Sequence, residues 1–163
     1  MALEFRSTNP ADDDAVYAVN LQAFGQAGEA DLALALIHEG DAPISMVAIE
    51  DGRIVAHVIL SPLGGLDRAL ALAPLAVLPE RQARGIGSAL VGHALEEACR
   101  LGWRCVFVLG EPAYYTRFGF SADLAKGAET PWSEPYLQGL ELVPGALSGF
   151  AGPLTYAPAF SKL

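Results

Sequence analysis

Positive charge is scarce in this sequence. Its 163 residues carry 10 Lys and Arg against 19 Asp and Glu, a net charge of −9, and lysine stands only at Lys126 and Lys162. A chain this acidic is a poor partner for nucleic acid and is compatible with a cationic substrate such as an amine. Neither lysine stands in the G-x-x-x-x-G-K-[ST] pattern of a phosphate loop. Cysteine is as sparse. Cys99 and Cys105 have neither zinc-knuckle nor C-x-x-C spacing, so both are expected as buried, reduced thiols of a cytoplasmic protein. No cluster of His, Cys and Asp suggests a metal. No uncharged apolar run reaches 18 residues, so no membrane span is expected. The N-terminal MALEFRSTNP has no basic-then-apolar leader pattern.

Apolar residues are plentiful. They make up 52% of the chain, enough to fill the core of one domain over residues 1–163. The stretch from Leu70 to Leu101 organises the rest. Leu70 to Leu78 is an apolar run. Pro79 breaks it into a short basic turn with Arg81, Gln82 and Arg84, and Gly85 and Gly87 follow. Ile86, Leu90, Ala94, Ala98 and Leu101 then recur at helical steps, with Gly102 placed as a C-terminal cap. The reading is strand, tight loop, helix. The loop lies at the helix N-terminus, where unpaired N–H groups and the macrodipole favour an anion, most simply a pyrophosphate.

The remainder reads as further strands and helices. Leu3 to Arg6 is a first strand, and Asn9-Pro10 with Asp12 to Asp14 starts a helix. A second helix covers about Glu29 to His38. Ile44 to Glu50 and Arg53 to Leu60 make a hairpin on the Asp51-Gly52 turn, with the next turn at Pro62 and Gly64-Gly65. Arg104 to Leu109 is a buried strand. Pro112 opens a short helix that Gly119 closes. Ala122 to Pro135 reads as loop; Leu137 to Val143, Leu154 to Tyr156 and the tail read as late strands. Pro74 interrupts the apolar run and marks a bulge or an edge. The order describes a mixed α/β domain.

The spelling of the anion loop separates three alternatives. The phosphate loop lacks its lysine, and a dinucleotide G-x-G-x-x-G has Leu90 where its third glycine belongs. Gln82-Ala83-Arg84-Gly85-Ile86-Gly87 matches [QR]-x-x-G-x-[GA] throughout and resembles the acetyl-CoA loop of the GNAT superfamily of N-acetyltransferases. Tyr115-Thr116-Arg117-Phe118-Gly119-Phe120 is similar to that family's Y-x-x-x-G-F signature, about 30 residues on. The longer string GEPAYYTRFGF, with His57 and Ser61 in HVILSP and Pro144 to Leu147, resembles one bacterial branch of predicted acetyltransferases.

The resemblance implies a mostly antiparallel sheet whose fourth and fifth strands run parallel and splay apart. It implies that backbone groups of Leu75, Ala76 and Val77 bind the pantetheine and help polarise the thioester, and that Gln82, Ala83, Arg84, Gly85, Ile86, Gly87 and Ser88 wrap the pyrophosphate. Tyr115 stands where the family's acid stands. The family's usual strand glutamate is missing from Leu70 to Leu78. His57 is the first substitute as base, since an unperturbed imidazole titrates near 6.5, followed by Glu29 and Glu111; a water relay with no single base stands level with all three. The acceptor pocket is expected around Phe24, Glu29, Ser61 and Tyr136, between the helices from Phe24 to Gly40 and the loop near Trp132 to Tyr136. The resemblance implies acetyl-CoA as co-substrate without a metal, a small-molecule or peptide amine as acceptor, and a homodimer, which is common among similar enzymes. A rival reading is an acyl-CoA-binding sensor without turnover.

Overall fold

The computed structural model describes residues 2–131 and 136–163. Strand β1 (Leu3–Ser7) leads into a 3-10 turn at Pro10–Asp12 and then helix α1 (Asp13–Phe24). Asn9 caps that turn. Its side chain accepts from the Ala11 N–H at 3.0 Å, and Asp12 accepts from the Asn9 N–H at 2.8 Å. This reciprocal pair satisfies donors that the helix start would leave bare. Helix α2 (Ala27–His38), strand β2 (Ile44–Glu50) and strand β3 (Arg53–Leu63) follow. At the β2–β3 turn Asp51 and Gly52 have φ of 52° and 77°, the positive pair that a tight hairpin needs.

Strand β4 (Ala69–Val77), helix α3 (Ile86–Arg100), strand β5 (Cys105–Leu109) and the one-turn helix α4 (Pro112–Tyr115) make the second half. The six-stranded sheet is completed by β7 (Leu137–Glu141), in the order β1-β2-β3-β4-β5-β7. Every pairing in it is antiparallel except β4 with β5. A separate parallel pair joins β6 (Ala128–Glu129) to β8 (Gly152–Pro153).

The alternation of side chains along β2 divides the core. Met46 and Ala48 pack with Leu90, Val91 and Ala94 of α3 on one face. Val47 packs with Val16, Leu32 and Leu36 of α1 and α2 on the other. Each strand residue buries a side chain on one face only. No helix among the described residues is long and apolar enough to cross a membrane.

Two local features open a cleft in this sheet. Leu72 pairs with Leu60, and Leu75 with Val58, so Ala73 and Pro74 together oppose Ile59 alone. This is the bulge expected at Pro74, where a residue without an N–H costs the ladder nothing. The parallel pairing of β4 with β5 runs only from Ala69–Cys105 to Ala71–Phe107. Beyond it the strands part, and the β5-facing edge of β4 has no strand partner among the described residues.

Several expectations are corrected. Pro62 stays in β3, paired with Leu70, because the flanking Ser61 and Leu63 are buried; the turn is left to Gly64 and Gly65. Leu154 to Tyr156 form no strand of their own. Thr155 makes one bridge to Gly64, and the pairing falls on Gly152–Pro153. Ala122 to Pro135 is more than loop, with a 3-10 turn at Asp123–Ala125 and β6. The tail coils as a 3-10 helix over Pro158–Lys162. Cys105 is buried but Cys99 is exposed, because the buried stripe of α3 passes through Ala94 and Ala98 and the next residue turns away by about 100°.

Candidate active site

The anion loop is built by three backbone choices. A 3-10 turn at Pro79–Arg81 ends β4. Ala83 then has φ of 62°, and Gly85, the N-cap of α3, has φ of 80°. The Gln82 side chain donates to the Val77 carbonyl at 3.1 Å, folding the loop back on its own strand. The first helical bond runs from the Ala89 N–H to the Gly85 carbonyl at 3.0 Å. The N–H groups of Ile86, Gly87 and Ser88 precede that ladder and are free for an anion. At Gly87 an added Cβ would lie 3.0 Å from the Tyr114 hydroxyl and 3.2 Å from Val77 Cγ2.

This loop lines a cavity of about 570 Å³, with Gln82, Ala83, Gly85, Ile86, Gly87 and Ser88 on its wall. Leu75 and Val77 line it from β4, whereas Ala76 is buried and Arg84 is exposed away from the lining. Two cations face it. The Arg81 guanidinium is already paired with the buried Glu50 carboxylate. Arg117 donates to the Ser88 hydroxyl at 3.1 Å, and its guanidinium lies 4.5 Å above the Tyr114 ring. Ser88 in turn donates to the Tyr114 hydroxyl at 3.3 Å. Arg117 and Tyr114 were not anticipated as part of this site. The signal for them is helical spacing: three positions apart, they present one face across α3.

A second cavity, about 330 Å³, lies where β4 and β5 separate. It shares Phe24 and Leu75 with the first. Tyr115 lines it, together with Leu72, Pro74, Phe107, Tyr156 and Phe160. Burial, with Tyr114 as a smaller contributor, pushes the Tyr115 hydroxyl up to about 12, so it holds its proton across the neutral range. Gly110 makes room for this ring, because a Cβ there would lie 2.7 Å from Tyr115 Cε2. Glu29, in the first turn of α2, also lines the cavity and accepts from the Gln26 amide at 3.3 Å.

His57 is not brought to either cavity. It is fully buried on the α1 face of the sheet, with Nδ1 3.1 Å from Asn20 Nδ2 and Nε2 2.9 Å from Ser45 Oγ. The Asn20 amide can only donate there, so Nδ1 accepts and Nε2 carries the hydrogen. Burial pushes the imidazole down to about 3, against a smaller opposing pull from Asp12. Ser61 is also fully buried and lines neither cavity; its hydroxyl finds no partner among the described residues. Glu111 is exposed at the N-cap of α4. Tyr136 is 52% exposed, and its carbonyl accepts from the Gly110 N–H. Trp132 to Pro135, expected near the acceptor, lie outside the described residues.

An anion loop at a helix N-terminus, opening along a bulged strand into an apolar pocket with a protonated phenol, suits a phosphate-tailed acyl donor. Comparison with known proteins agrees with this. Residues 42–122 match the model of the acetyltransferase (GNAT) domain. The chain is 34% identical to the uncharacterized N-acetyltransferase YjhQ of Escherichia coli K12, over 89% of this chain and 88% of that one. The crystal structure of the E. coli GNAT family N-acetyltransferase YhbS in complex with CoA superposes with a TM-score of 0.92 at 29% identity, over 99% of this chain and 93% of that one. A GNAT family acetyltransferase from Brucella melitensis, solved with acetyl-CoA, gives 0.83 at 29% identity, over 98% of each chain.

Proposed function

The chain belongs to the GNAT acetyltransferase family, and from that premise we propose that it moves an acetyl group from acetyl-CoA to a primary amine by direct attack in a ternary complex. One observation carries this reading: the two cavities meet at Leu75 and Phe24. A donor with its pyrophosphate on the N–H groups of Ile86 to Ser88 and its arm along β4 brings its thioester to that junction, beside Tyr115.

The chemistry follows from what each group can hold. The neutral amine attacks the thioester carbon, and the carbonyl oxygen takes the charge. Backbone N–H groups on the unpaired edge of β4, among Leu75, Ala76 and Val77, stabilise that oxyanion. As the C–S bond breaks, the thiolate takes a proton from Tyr115, which regains one from solvent. His57 supports the fold, since its ring is sealed between Asn20 and Ser45. The proton lost by the nitrogen passes to water, and Glu29 is the carboxylate lining the acceptor cavity among the described residues.

The test is an assay that counts both products. Purified protein with acetyl-CoA and an amine panel should release CoA thiol and N-acetylamine in equal amounts, and initial-rate plots should intersect. Tight acetyl-CoA binding with no amine acetylated would overturn turnover in favour of a sensor, and parallel plots would overturn direct attack.

A further inference from the structure

The second cavity is more selective than an amine site needs to be. Among the described side chains that line it, Glu29 alone carries charge, and the phenols Tyr115 and Tyr156 are the other polar ones; leucine, proline, alanine and phenylalanine supply the rest. Its volume, about 330 Å³, is near the small end of ligand sites. Three apolar side chains that line it are in partial contact with water, Phe24 at 39%, Leu109 at 41% and Leu163 at 62% exposure.

Resting on the transferase reading above, we propose that the acceptor is a compact monoamine with an apolar aryl or alkyl body, its single ammonium drawn to Glu29 and giving up a proton to water before it attacks, its body packed between Leu72, Phe107 and Phe160. Physics disfavours the other common acceptors. An amino acid would bring its carboxylate into a cavity whose only charged side chain, among the described residues, is another carboxylate. A diamine would bury a second ammonium without a counter-charge, and an unpaired buried charge is expensive. A peptide would bring backbone amides to walls whose polar side chains are one carboxylate and two phenols, with the unpaired edge of β4 already taken by the donor. An apolar body meets none of these costs and covers Phe24 and Leu109. Nearby aromatic faces add a weak attraction for the ammonium.

The experiment uses the full chain and a homologous series. Propylamine through hexylamine and phenethylamine are compared with 1,6-diaminohexane and 6-aminohexanoate, by N-acetyl product. Each added methylene should raise kcat/KM about fourfold, or ~0.8 kcal/mol, until the cavity is full. Hexylamine should exceed the diamine and the amino acid at least tenfold. Glu29→Gln should raise the monoamine KM about tenfold, leave acetyl-CoA affinity unchanged, and narrow the gap between hexylamine and 6-aminohexanoate. Calorimetry of hexylamine with the CoA-bound protein separates this proposal from the one it rests on. Hexylamine that binds while no amine is acetylated overturns the transferase reading alone. Diamine or amino acid acetylated as well as hexylamine overturns the acceptor class alone. Hexylamine neither bound nor acetylated also overturns the acceptor class, and an unmoved KM in Glu29→Gln removes the ammonium site.

Discussion

Tyr114 and Tyr115 are consecutive, their rings 5.0 Å apart at 83°, and they open onto different cavities. Tyr114 faces the anion loop, within hydrogen-bond reach of Ser88, and Tyr115 faces the second cavity. One turn of helix thus serves both ends of the cleft. Tyr115→Phe keeps the ring and removes the proton. Turnover should drop about 10²-fold, the low end for general acid catalysis, with acetyl-CoA affinity unchanged. Tyr114→Phe should do the reverse, weakening acetyl-CoA a few-fold in calorimetry with kcat nearly kept. Because burial holds Tyr115 near 12, kcat should show no alkaline loss from this group between pH 8 and 10. An acid at the ordinary value near 10 would already be fading there.

Gly110 provides a test of position rather than chemistry. Its added Cβ would meet the Tyr115 ring at 2.7 Å, so Gly110→Ala must displace that ring. We expect a loss of kcat approaching that of Tyr115→Phe, with an overpacking cost of about 1–3 kcal/mol in urea unfolding. Full turnover in the alanine variant would show that the ring's placement is immaterial.

Much of this cleft was legible before folding, for reasons that differ by element. Helix α3 declares itself through the step from Ile86 to Leu90, Ala94 and Ala98, and the loop before it through Gly85, whose φ of 80° suits glycine. Pro74 announces the bulge because proline cannot donate. What stayed hidden depends on contacts between elements distant in sequence. Nothing local to Arg117 says that it reaches Ser88, 29 residues earlier. Nothing local to His57 says that Asn20 and Ser45 close over it, so a lone histidine on an apolar strand looked available when it was sealed. Glu29 had a partial signal, as an acid at the start of a helix.

Arg117 is the cation lining the anion cavity that no carboxylate matches among the described residues, since Arg81 is held by Glu50. Arg117 is exposed, so its substitution should spare the fold. Arg117→Glu places a negative charge over the pyrophosphate site. Acetyl-CoA affinity should fall at least tenfold, ~1.4 kcal/mol, and the loss should shrink as salt rises, since surface charge is screened within about 10 Å at 0.1 M. Calorimetry at two salt concentrations measures both. An unchanged affinity would confine Arg117 to stacking on Tyr114.

The His57 cluster gives the last prediction, and it concerns stability. In the folded chain burial holds the imidazole down to about 3; in the unfolded chain it titrates near 6.5. A depressed folded value means that the unfolded state binds the extra proton first. Stability from this group is therefore complete above about pH 6.5 and declines as pH falls toward 3. The slope is at most ~1.4 kcal/mol per pH unit, so roughly 2 kcal/mol should be lost between pH 7 and 5. Asp12, held below the usual carboxylate range chiefly by its hydrogen bond from Arg6, adds a further loss only at lower pH. Urea unfolding at a series of pH values measures the slope, and His57→Gln should flatten it between pH 7 and 5. The same variant separates structure from catalysis. A glutamine that keeps kcat within a few-fold at pH 7.5 fits a residue that ties α1 to the sheet. A 10²-fold loss of kcat in a folded, acetyl-CoA-binding variant would return His57 to the role of base, with the ring then reaching the cleft in a conformation other than this one.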